Sequence, residues 1–357
     1  MTGTAVYLYP WDVDGDPGAV SRLARLGVPE VALAAAYHDV RAVTPYHPGH
    51  RIVTRQAGVY YNHDPERWRG SPLRPAPAQD AGSFERAASL LRDAGLTVTA
   101  WLVITHNETL APAHPQRMVR NAFGDPYPWA LCLASPGVRE YTAALAAEVA
   151  ALECVDGIEL EACGWFGYDH QSSHDKTGGL GGWPLDVCLC PSCSDAYKDA
   201  GLGDVGAAMR DAIDSGAAPP SSVVDAVSEV RTALAGDFLS FVISSVRTAA
   251  PSTDVLVQAD PDPRQCGANP GHDPAVLGLA DGVVLNGPAA TVSRMPDCAP
   301  RRALTMQAVT ALSDRAGRLA DEAAAAVAAG ATDLRFYHAG LASGDDLAAI
   351  RDVVGSL

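Results

Sequence analysis

The sequence predicts an α/β fold, a (β/α)8 TIM barrel with long insertions after strands 2 and 4. Helical segments repeatedly end near a glycine, and an apolar run begins a few residues later, as in DAGLTVTAWLV and AAGATDLRFYH. Glycine after a helix supplies a left-handed C-cap, and continuous runs of valine, leucine and isoleucine are typical of buried parallel strands. Eight such units alternate along the chain, which is the pattern of a closed barrel.

The predicted strands and helices have consistent boundary signals. Ser135 and Pro136 place an N-cap before a proline at the first helical position. Ser222 with Asp225 resembles a capping box in front of a long amphipathic helix. A doubly wound sheet is the competing fold, but YPWDVDGDPG lacks its phosphate-binding glycine pattern. The predicted strands are residues 4–9, 30–36, 97–104, 156–162, 254–259, 282–286, 303–308 and 333–338.

The chain of 357 residues is longer than the roughly 250 residues of a typical barrel. The surplus falls at about 38–80 and at about 163–221, in each case after the C-terminal end of a predicted strand. Barrel enzymes build their sites at that face. We therefore expect one barrel domain spanning 1–357, with both insertions on the functional side.

Composition limits the partners of the protein. The net charge is −16, and such an acidic excess opposes binding to nucleic acid or to an anionic membrane surface. No signal-peptide pattern and no apolar run of about 20 residues is evident, so we expect a cytoplasmic protein. Its eight cysteines are then expected to be core residues or metal ligands. A small molecule or an oligosaccharide is the expected substrate, and an oligomer is compatible with these data.

The run VDGIELEACG contains two glutamates where an apolar strand has no structural need for them. Strand side chains alternate, so Glu159, Glu161 and Cys163 share one face, which in a barrel points to the axis. Glu161 would lie at the mouth and is the better catalytic candidate, whereas Glu159 would lie one layer deeper. The alternative is that either glutamate, Glu159 especially, is a buried, hydrogen-bonded structural residue.

Polar or aromatic side chains stand at or near the end of every predicted strand. Carboxylates, amides, imidazoles and aromatic rings suit a neutral, hydroxyl-rich substrate such as a sugar better than a phosphate. Glycoside hydrolysis needs one acid and one base or nucleophile, and we expect Glu161 and Asp260 in these roles. Besides Asp260, the candidates at the strand ends are Trp11, Tyr37, His38, His106, Asn107, Glu108, Asp262, Asn286, Gln307 and His338. Asp262 and Glu108 are the reserve carboxylates.

The sequence CLCPSC holds Cys188, Cys190 and Cys193 in a C-x-C-x-x-C pattern. Thiolates this close together suit a tetrahedral structural zinc, and the alternative is a set of reduced cysteines without metal. The expected fourth ligand is Cys163 or Cys132, or else His170 or His174. A catalytic zinc would need histidine or carboxylate ligands, such as His170, His174 and Asp175. No organic cofactor is expected.

Two motifs resemble those of glycoside hydrolase barrels. The cysteine pattern resembles the zinc-binding cluster of the thermophilic type of barrel β-galactosidase, and DGIELE resembles a strand-4 signature of several glycosidase barrels. The resemblance implies a sugar-processing barrel. Those β-galactosidases carry an Asn-Glu pair at the end of strand 4 and a glutamate nucleophile on strand 7. Here Asn107-Glu108 follows strand 3 and strand 7 offers Gln307, so their catalytic residues do not carry over.

Three functions remain open from the sequence. The first is a carbohydrate-active enzyme, a glycoside hydrolase that uses carboxylate acid/base catalysis on a neutral glycoside. The second is a metal-dependent isomerase, epimerase or aldolase with Glu161, Asp260 and histidines as ligands. The third is a non-catalytic sugar-binding barrel, which Gln307 at a possible nucleophile position suggests.

Overall fold

A computed structural model describes residues 2–168 and 182–357. Its strands alternate with helices along the chain, together with short 3-10 helices at Pro10–Asp12, Pro115–Arg117 and Asp314–Arg318. The strands are β1 (Gly3–Leu8), β2 (Glu30–Tyr37), β3 (Val40–Val43), β4 (Ile52–Arg55), β5 (Gly58–Val59), β6 (Thr97–Val103), β7 (Met118–Arg120), β8 (Pro126–Leu131), β9 (Gly157–Glu161), β10 (Asp254–Gln258), β11 (Gly282–Asn286), β12 (Arg301–Gln307) and β13 (Asp333–Tyr337). The helices are α1 (Ala19–Ala24), α2 (Ser83–Asp93), α3 (Leu110–Ala113), α4 (Pro136–Ala150), α5 (Trp183–Asp186), α6 (Pro191–Asp199), α7 (Val205–Ser215), α8 (Ser221–Ala249), α9 (Pro274–Leu277), α10 (Ala290–Arg294), α11 (Leu319–Ala328) and α12 (Gly344–Ser356).

Eight parallel strands close into a barrel in the order β1, β13, β12, β11, β10, β9, β6 and β2, with β2 pairing back to β1. Each predicted strand overlaps one of these, so the predicted (β/α)8 barrel is confirmed. The strands are buried along nearly their whole length because helices or side chains cover both faces. This double burial is why they read as continuous apolar runs.

The helices around the barrel begin largely where the sequence indicates. Ser135 is the extended N-cap of α4, with Pro136 at its first position. The predicted capping box at Ser222 is wrong: the N-cap of α8 is Pro220, two residues earlier, and it provides no side-chain cap. Packing against α4 holds α8 in place instead. Phe238 and Val242 are among the buried residues of α8. No helix in residues 2–168 and 182–357 is both long and apolar enough to cross a membrane.

Extra structure follows three neighbouring barrel strands. The connection after β2 contains the antiparallel hairpin β3–β4, and β5 pairs with the end of β2. The connection after β9 contains α5, α6 and α7. A third excursion, which the sequence analysis did not separate out, follows β6 and contains α3 and the hairpin β7–β8. All three leave the carboxyl ends of their strands and therefore build up one face of the barrel.

Candidate active site

A cavity of about 260 Å³ lies at the C-terminal mouth of the barrel. Every barrel strand contributes at least one of its lining side chains, so the cavity is centred on the barrel axis. The lining residues are Tyr7, Tyr37, His38, Trp101, Glu161, Gln258, Ala268, Asn269, Asn286, Thr305, Gln307 and Tyr337. Of the candidates predicted from sequence, the cavity brings together Glu161, Tyr37, His38, Asn286 and Gln307.

Glu161 is the one carboxyl group among the described residues that line this cavity. Its side chain is buried, and its Oε2 accepts a hydrogen bond of 2.6 Å from Nε1 of Trp101. Burial, with a smaller contribution from the nearby Glu159 charge, raises the pKa of Glu161 to about 8, although bonds from Trp101 and Gln258 oppose the shift. Glu161 is therefore largely protonated at neutral pH and is chemically a proton donor.

The backbone turns sharply directly after Glu161. Ala162 has a φ of 51°, in the left-handed region that residues other than glycine rarely adopt. Its N–H donates to the carbonyl of Ala268 in the connection after β10, at 2.7 Å. Strand β9 thus ends at Glu161 and leaves this side chain at the rim of the sheet. Strain of this kind is common where a functional side chain must be held in place.

Glu159 is enclosed by other side chains and is not accessible from the cavity. It is fully buried, and its Oε2 lies 2.7 Å from Nη2 of Arg335, which is also fully buried. Its Oε1 accepts hydrogen bonds from the Tyr7 hydroxyl at 2.6 Å and from Nε2 of Gln258 at 2.7 Å. Glu159 does not line the cavity. The structure thus favours the structural interpretation of this residue over the expected catalytic one.

The expected partner of Glu161, Asp260, does not reach the cavity. Strand β10 ends at Gln258, so strand alternation no longer fixes the direction of residues after it. Oδ1 of Asp260 accepts the backbone N–H of Asp262 at 2.8 Å, a local turn contact. Asp262 is exposed and lines a separate cavity of about 710 Å³, beside α7 and α8. The structure therefore does not assemble the predicted pair of carboxylates.

The three candidate side chains that follow β6 serve two different roles. His106 is buried and stacks on His38, with ring centroids 4.3 Å apart. Nε2 of His106 lies 2.8 Å from Oε1 of Glu108, whose Oε2 accepts the N–H of Asp39 at 3.1 Å. Oδ1 of Asn107 accepts the N–H groups of Thr109 and Leu110. Asn107 therefore stabilises the turn that leads into α3, whereas His106 and Glu108 form a group with His38, the one of these three that lines the cavity.

Glu108 and Glu161 have opposite electrostatic environments. Burial alone would raise the pKa of Glu108, but the hydrogen bond and charge of His106 outweigh it and lower the pKa to about 2. Glu108 is therefore ionised at neutral pH, while Glu161 is largely protonated. Carboxyl groups whose environments push their pKa values apart are typical of acid/base sites.

Two other candidates pack around Tyr9 and do not line the cavity. Trp11 stacks on Tyr9 with centroids 4.4 Å apart, and His338 stacks on it at 4.3 Å. The ion pair between Arg335 and Glu159 shows that Arg335, on strand β13, points to the barrel axis. Residues two apart in a strand share a face, so Tyr337 points to the axis like Arg335 and lines the cavity, and His338 points away from it. The expected substrate-binding roles of Trp11 and His338 have no geometric support.

Several lining residues were not predicted from the sequence, although strand alternation places them on the face that points to the barrel axis. Trp101 contacts Glu161 and belongs to the predicted strand 97–104, and Tyr337 lies two residues after Arg335. Both could have been found by asking which side chains face the barrel axis. Asn269, from the connection after β10, had no comparable signal.

Four buried cysteines form a compact group beside this face of the barrel. Cys188, Cys190 and Cys193 are joined by Cys132, which follows β8. The Sγ atom of Cys132 lies 3.7, 3.6 and 3.5 Å from those of Cys188, Cys190 and Cys193, respectively. A tetrahedral zinc with bonds of about 2.3 Å requires sulfur–sulfur distances of about 3.8 Å. The group is therefore able to hold a metal ion with little movement.

Of the two cysteines expected as the fourth ligand, the structure brings Cys132, not Cys163, to the group. Cys163 is buried at the end of β9, outside the group, and burial raises the pKa of its thiol. Cys163 lies two residues after barrel strand β9, whereas Cys188 lies further along the chain, between α5 and α6. His170, His174 and Asp175, the other ligand candidates, lie outside the described residues.

The fold is similar to solved glycoside hydrolase barrels. The glycoside hydrolase domain of PgaB (BpsB) from Bordetella bronchiseptica matches with a TM-score of 0.64 and 18% identity over 99% of each chain. A β-galactosidase from the psychrophilic Marinomonas ef1 matches at 0.59 and 11%, over 99% of this chain and 59% of its own. The β-amylase catalytic domain from Paenibacillus polymyxa matches at 0.58 and 11%, over 99% of this chain and 98% of its own.

At these identities the similarity shows the fold alone. No family model matches the sequence, and no curated protein matches it. The chain thus shares the barrel fold of these glycoside hydrolases, and the described residues include a four-cysteine group.

Proposed function

We propose that the protein hydrolyses a glycosidic bond of a neutral glycoside, with Glu161 as the proton donor. The observation that carries this proposal is the buried carboxyl group of Glu161, whose pKa is raised to about 8, in the cavity at the barrel mouth. Protonation of the departing oxygen is the step that a neutral carboxylic acid supplies in glycoside hydrolysis. The similarity to glycoside hydrolase barrels in fold supports the same reaction class.

The wall of the cavity suits a neutral ligand with many hydroxyl groups. Its described polar side chains are mainly amides and phenols, including Gln258, Asn286, Gln307 and Tyr337, and they donate and accept hydrogen bonds without charge. Lysine and arginine are absent from the described lining residues, whereas phosphate binding favours such cations. Indole and phenol rings add flat apolar surface of the kind that packs on a sugar ring.

The partner of Glu161 in this proposal comes from the group around Glu108. Hydrolysis requires a base or nucleophile as well as an acid. Glu108 is ionised, and His106 and His38 connect it to the cavity wall. Asp260, by contrast, is engaged in its own turn. We therefore place the basic function on the side of the cavity formed by β2 and β6.

We also propose that the four-cysteine group holds a structural zinc ion. Four thiolates give a closed site without a position for substrate. Cys132 follows the hairpin after β6, and the other three cysteines precede or begin α6, after β9. Zinc would therefore tie together two excursions from neighbouring barrel strands and support the face that carries the cavity.

The hydrolysis proposal is tested with a panel of aryl α- and β-glycosides, both pyranosides and furanosides. We expect the wild-type protein to turn over at least one member and Glu161→Gln to be slower by about a hundredfold or more. Asp262→Asn, which removes an exposed carboxylate outside the cavity, is the control and should keep wild-type activity. A folded wild-type protein that binds sugars but hydrolyses no member, with binding unchanged in Glu161→Gln, would instead identify a sugar-binding barrel.

A metal-dependent isomerase, epimerase or aldolase is the second candidate. The observation in its favour is a group of two histidines and one glutamate with metal-ligand spacing, of which His38 lines the cavity. A requirement for added divalent metal, without glycoside hydrolysis, would favour this function.

A further inference from the structure

Two imidazoles and a carboxylate converge beside the mouth cavity. One ligand atom from each of His38, His106 and Glu108 lies within 4.8 Å of the other two. The imidazole rings stack face to face, at 17° with centroids 4.3 Å apart, so a shared ion requires one ring to turn until both lone pairs point at it. Nε2 of His106 already lies 2.8 Å from Oε1 of Glu108. Three donors of the types that bind divalent transition metals therefore occupy one small volume.

The backbone of Asp39 orients two of these three side chains. Nδ1 of His38 lies 2.7 Å from the carbonyl oxygen of Asp39, a contact in which Nδ1 carries the proton. The lone pair of a neutral His38 is then on Nε2. The N–H of Asp39 donates to Oε2 of Glu108 at 3.1 Å and leaves Oε1 on the side of His106. Contacts of this kind, from backbone groups to the non-ligating atoms of ligands, are typical of metal sites.

The surroundings of the group favour a tightly held ion. His106 is buried between His38 and Phe166, whose ring centroid lies 4.4 Å from its own. Tyr37 stacks on the other side of His38 at 4.2 Å. Apolar rings on both sides limit solvent access and strengthen the attraction between a cation and the Glu108 carboxylate.

We propose that His38, His106 and Glu108 bind a divalent first-row transition-metal ion, with zinc as the reference ion, at the wall of the mouth cavity. Two histidines and one carboxylate are a ligand set of catalytic zinc and iron sites. Bonds of about 2.0–2.2 Å place neighbouring ligand atoms about 3.3 Å apart, so the three ligand atoms, which now lie within 4.8 Å of one another, must draw together as the ring turns. The ion replaces the bond between His106 and Glu108, and the Nε2 proton of His106 moves to Nδ1 or to solvent.

The site would have open coordination positions next to the substrate cavity. Three protein ligands leave at least one position of a tetrahedral ion for water or a substrate hydroxyl. His38 lines the same cavity as Glu161. The ion would thus lie on the wall of the cavity that Glu161 also lines, and it would be chemically distinct from an ion at the thiolate group, which is closed. With an ion bound, Glu108 would no longer be a free base, so metal binding here and Glu108 as the base of hydrolysis are alternatives; metal binding itself does not depend on glycoside hydrolysis.

The test counts zinc ions per chain by elemental analysis after dialysis of the intact protein against micromolar zinc. We expect the wild-type protein to hold one zinc more than Glu108→Gln and one more than His38→Gln. Both substitutions keep the approximate shape of the side chain, and circular dichroism checks that each variant is folded. Glu140→Gln, at an exposed position on α4, is the matched control and should keep the wild-type count.

Cobalt absorption provides a second readout. Cobalt at the histidine–carboxylate site should give weak visible bands that disappear in Glu108→Gln, separate from the intense charge-transfer bands of a thiolate site. Equal zinc counts in folded wild type, Glu108→Gln and His38→Gln would overturn the proposal. Because neither readout uses turnover, failure here is distinguishable from failure of the hydrolysis proposal.

Discussion

Nε1 of Trp101 donates a hydrogen bond of 2.6 Å to Oε2 of Glu161 from the neighbouring strand β6. In the β6–β9 register, Trp101 lies opposite Glu159 and Val103 opposite Glu161, so the indole reaches one step along the strand to the mouth. A donor to the ionised form of a carboxyl group lowers its pKa. Trp101 therefore limits the increase that burial imposes and keeps the pKa of Glu161 near 8.

Trp101→Phe should raise the pKa of Glu161 above its wild-type value. The substitution keeps an aromatic ring but removes the donor that stabilises the carboxylate. The measurement is an NMR titration of glutamate labelled with carbon-13 at the side-chain carboxyl, assigned by comparison with Glu161→Gln. Trp129→Phe is the control, since its indole bonds to the carbonyl of Gly167. A lower pKa in Trp101→Phe would contradict the assigned role.

The ionisation of Glu161 should appear in the pH dependence of stability. Its folded pKa of about 8 exceeds an unfolded value of about 4.3, so between these values the folded state retains a proton that the unfolded state has lost. Stability from this group is thus fully present below about pH 4 and is lost as pH rises to about 8. Relative to Glu161→Gln, the free energy of unfolding should fall on the order of 3 kcal/mol from pH 5 to pH 8.

Urea unfolding of both proteins across that range measures this difference. Subtracting the Glu161→Gln curve removes contributions from other groups, such as Asp12, whose pKa burial raises to about 7. Parallel curves would mean that Glu161 ionises freely in the folded protein.

Cys132→Ser should release the zinc proposed for the thiolate group and lower the melting temperature. Cys132 contacts all three of the other cysteines, so its loss leaves an incomplete ligand set. Cys163→Ser, which changes a buried cysteine outside the group, is the matched control and should retain the ion. Zinc content and melting temperature are measured with and without a chelator. Retention of zinc by Cys132→Ser would contradict four-cysteine ligation.

Arg335→Met should destabilise the fold by about 3–5 kcal/mol, because it leaves the buried Glu159 without its cation. Adding Glu159→Gln to this variant should recover part of the loss, since the other carboxylate that Arg335 contacts, Glu30, keeps its ion pair with Arg301. Arg351→Met, which breaks an exposed pair with Asp352, is the control and should cost less than about 1 kcal/mol. The measurement is urea unfolding at neutral pH. Equal effects of the two arginine substitutions would contradict a buried ion pair at the barrel axis.

The barrel could be predicted from the sequence because strands that are buried on both faces consist mainly of apolar residues. Each strand is an apolar run, and the helices between them carry caps and amphipathic spacing. The same physics identified Glu161, since a carboxyl group in an apolar strand needs a special environment. Within the strands, alternation placed Glu161 on the axial face, and the same signal, had it been applied to every strand, would also have found Trp101 and Tyr337.

Prediction failed where the strands end. Asp260 and His338 follow the last residues of β10 and β13, and local turns decide their directions. The choice between Cys132 and Cys163 also depended on tertiary structure. Cys163 is nearer in sequence to Cys188, but the hairpin after β6 brings Cys132 to the group.

The most direct test of Glu161 as proton donor is the dependence of its mutant effect on the leaving group. A dinitrophenyl glycoside departs without protonation, whereas an unactivated glycoside needs an acid. On the glycoside that the panel identifies, we expect Glu161→Gln to lower kcat/KM about a hundredfold or more for the unactivated leaving group and only slightly for dinitrophenyl. An equal loss for both leaving groups would show that Glu161 does not protonate the departing oxygen.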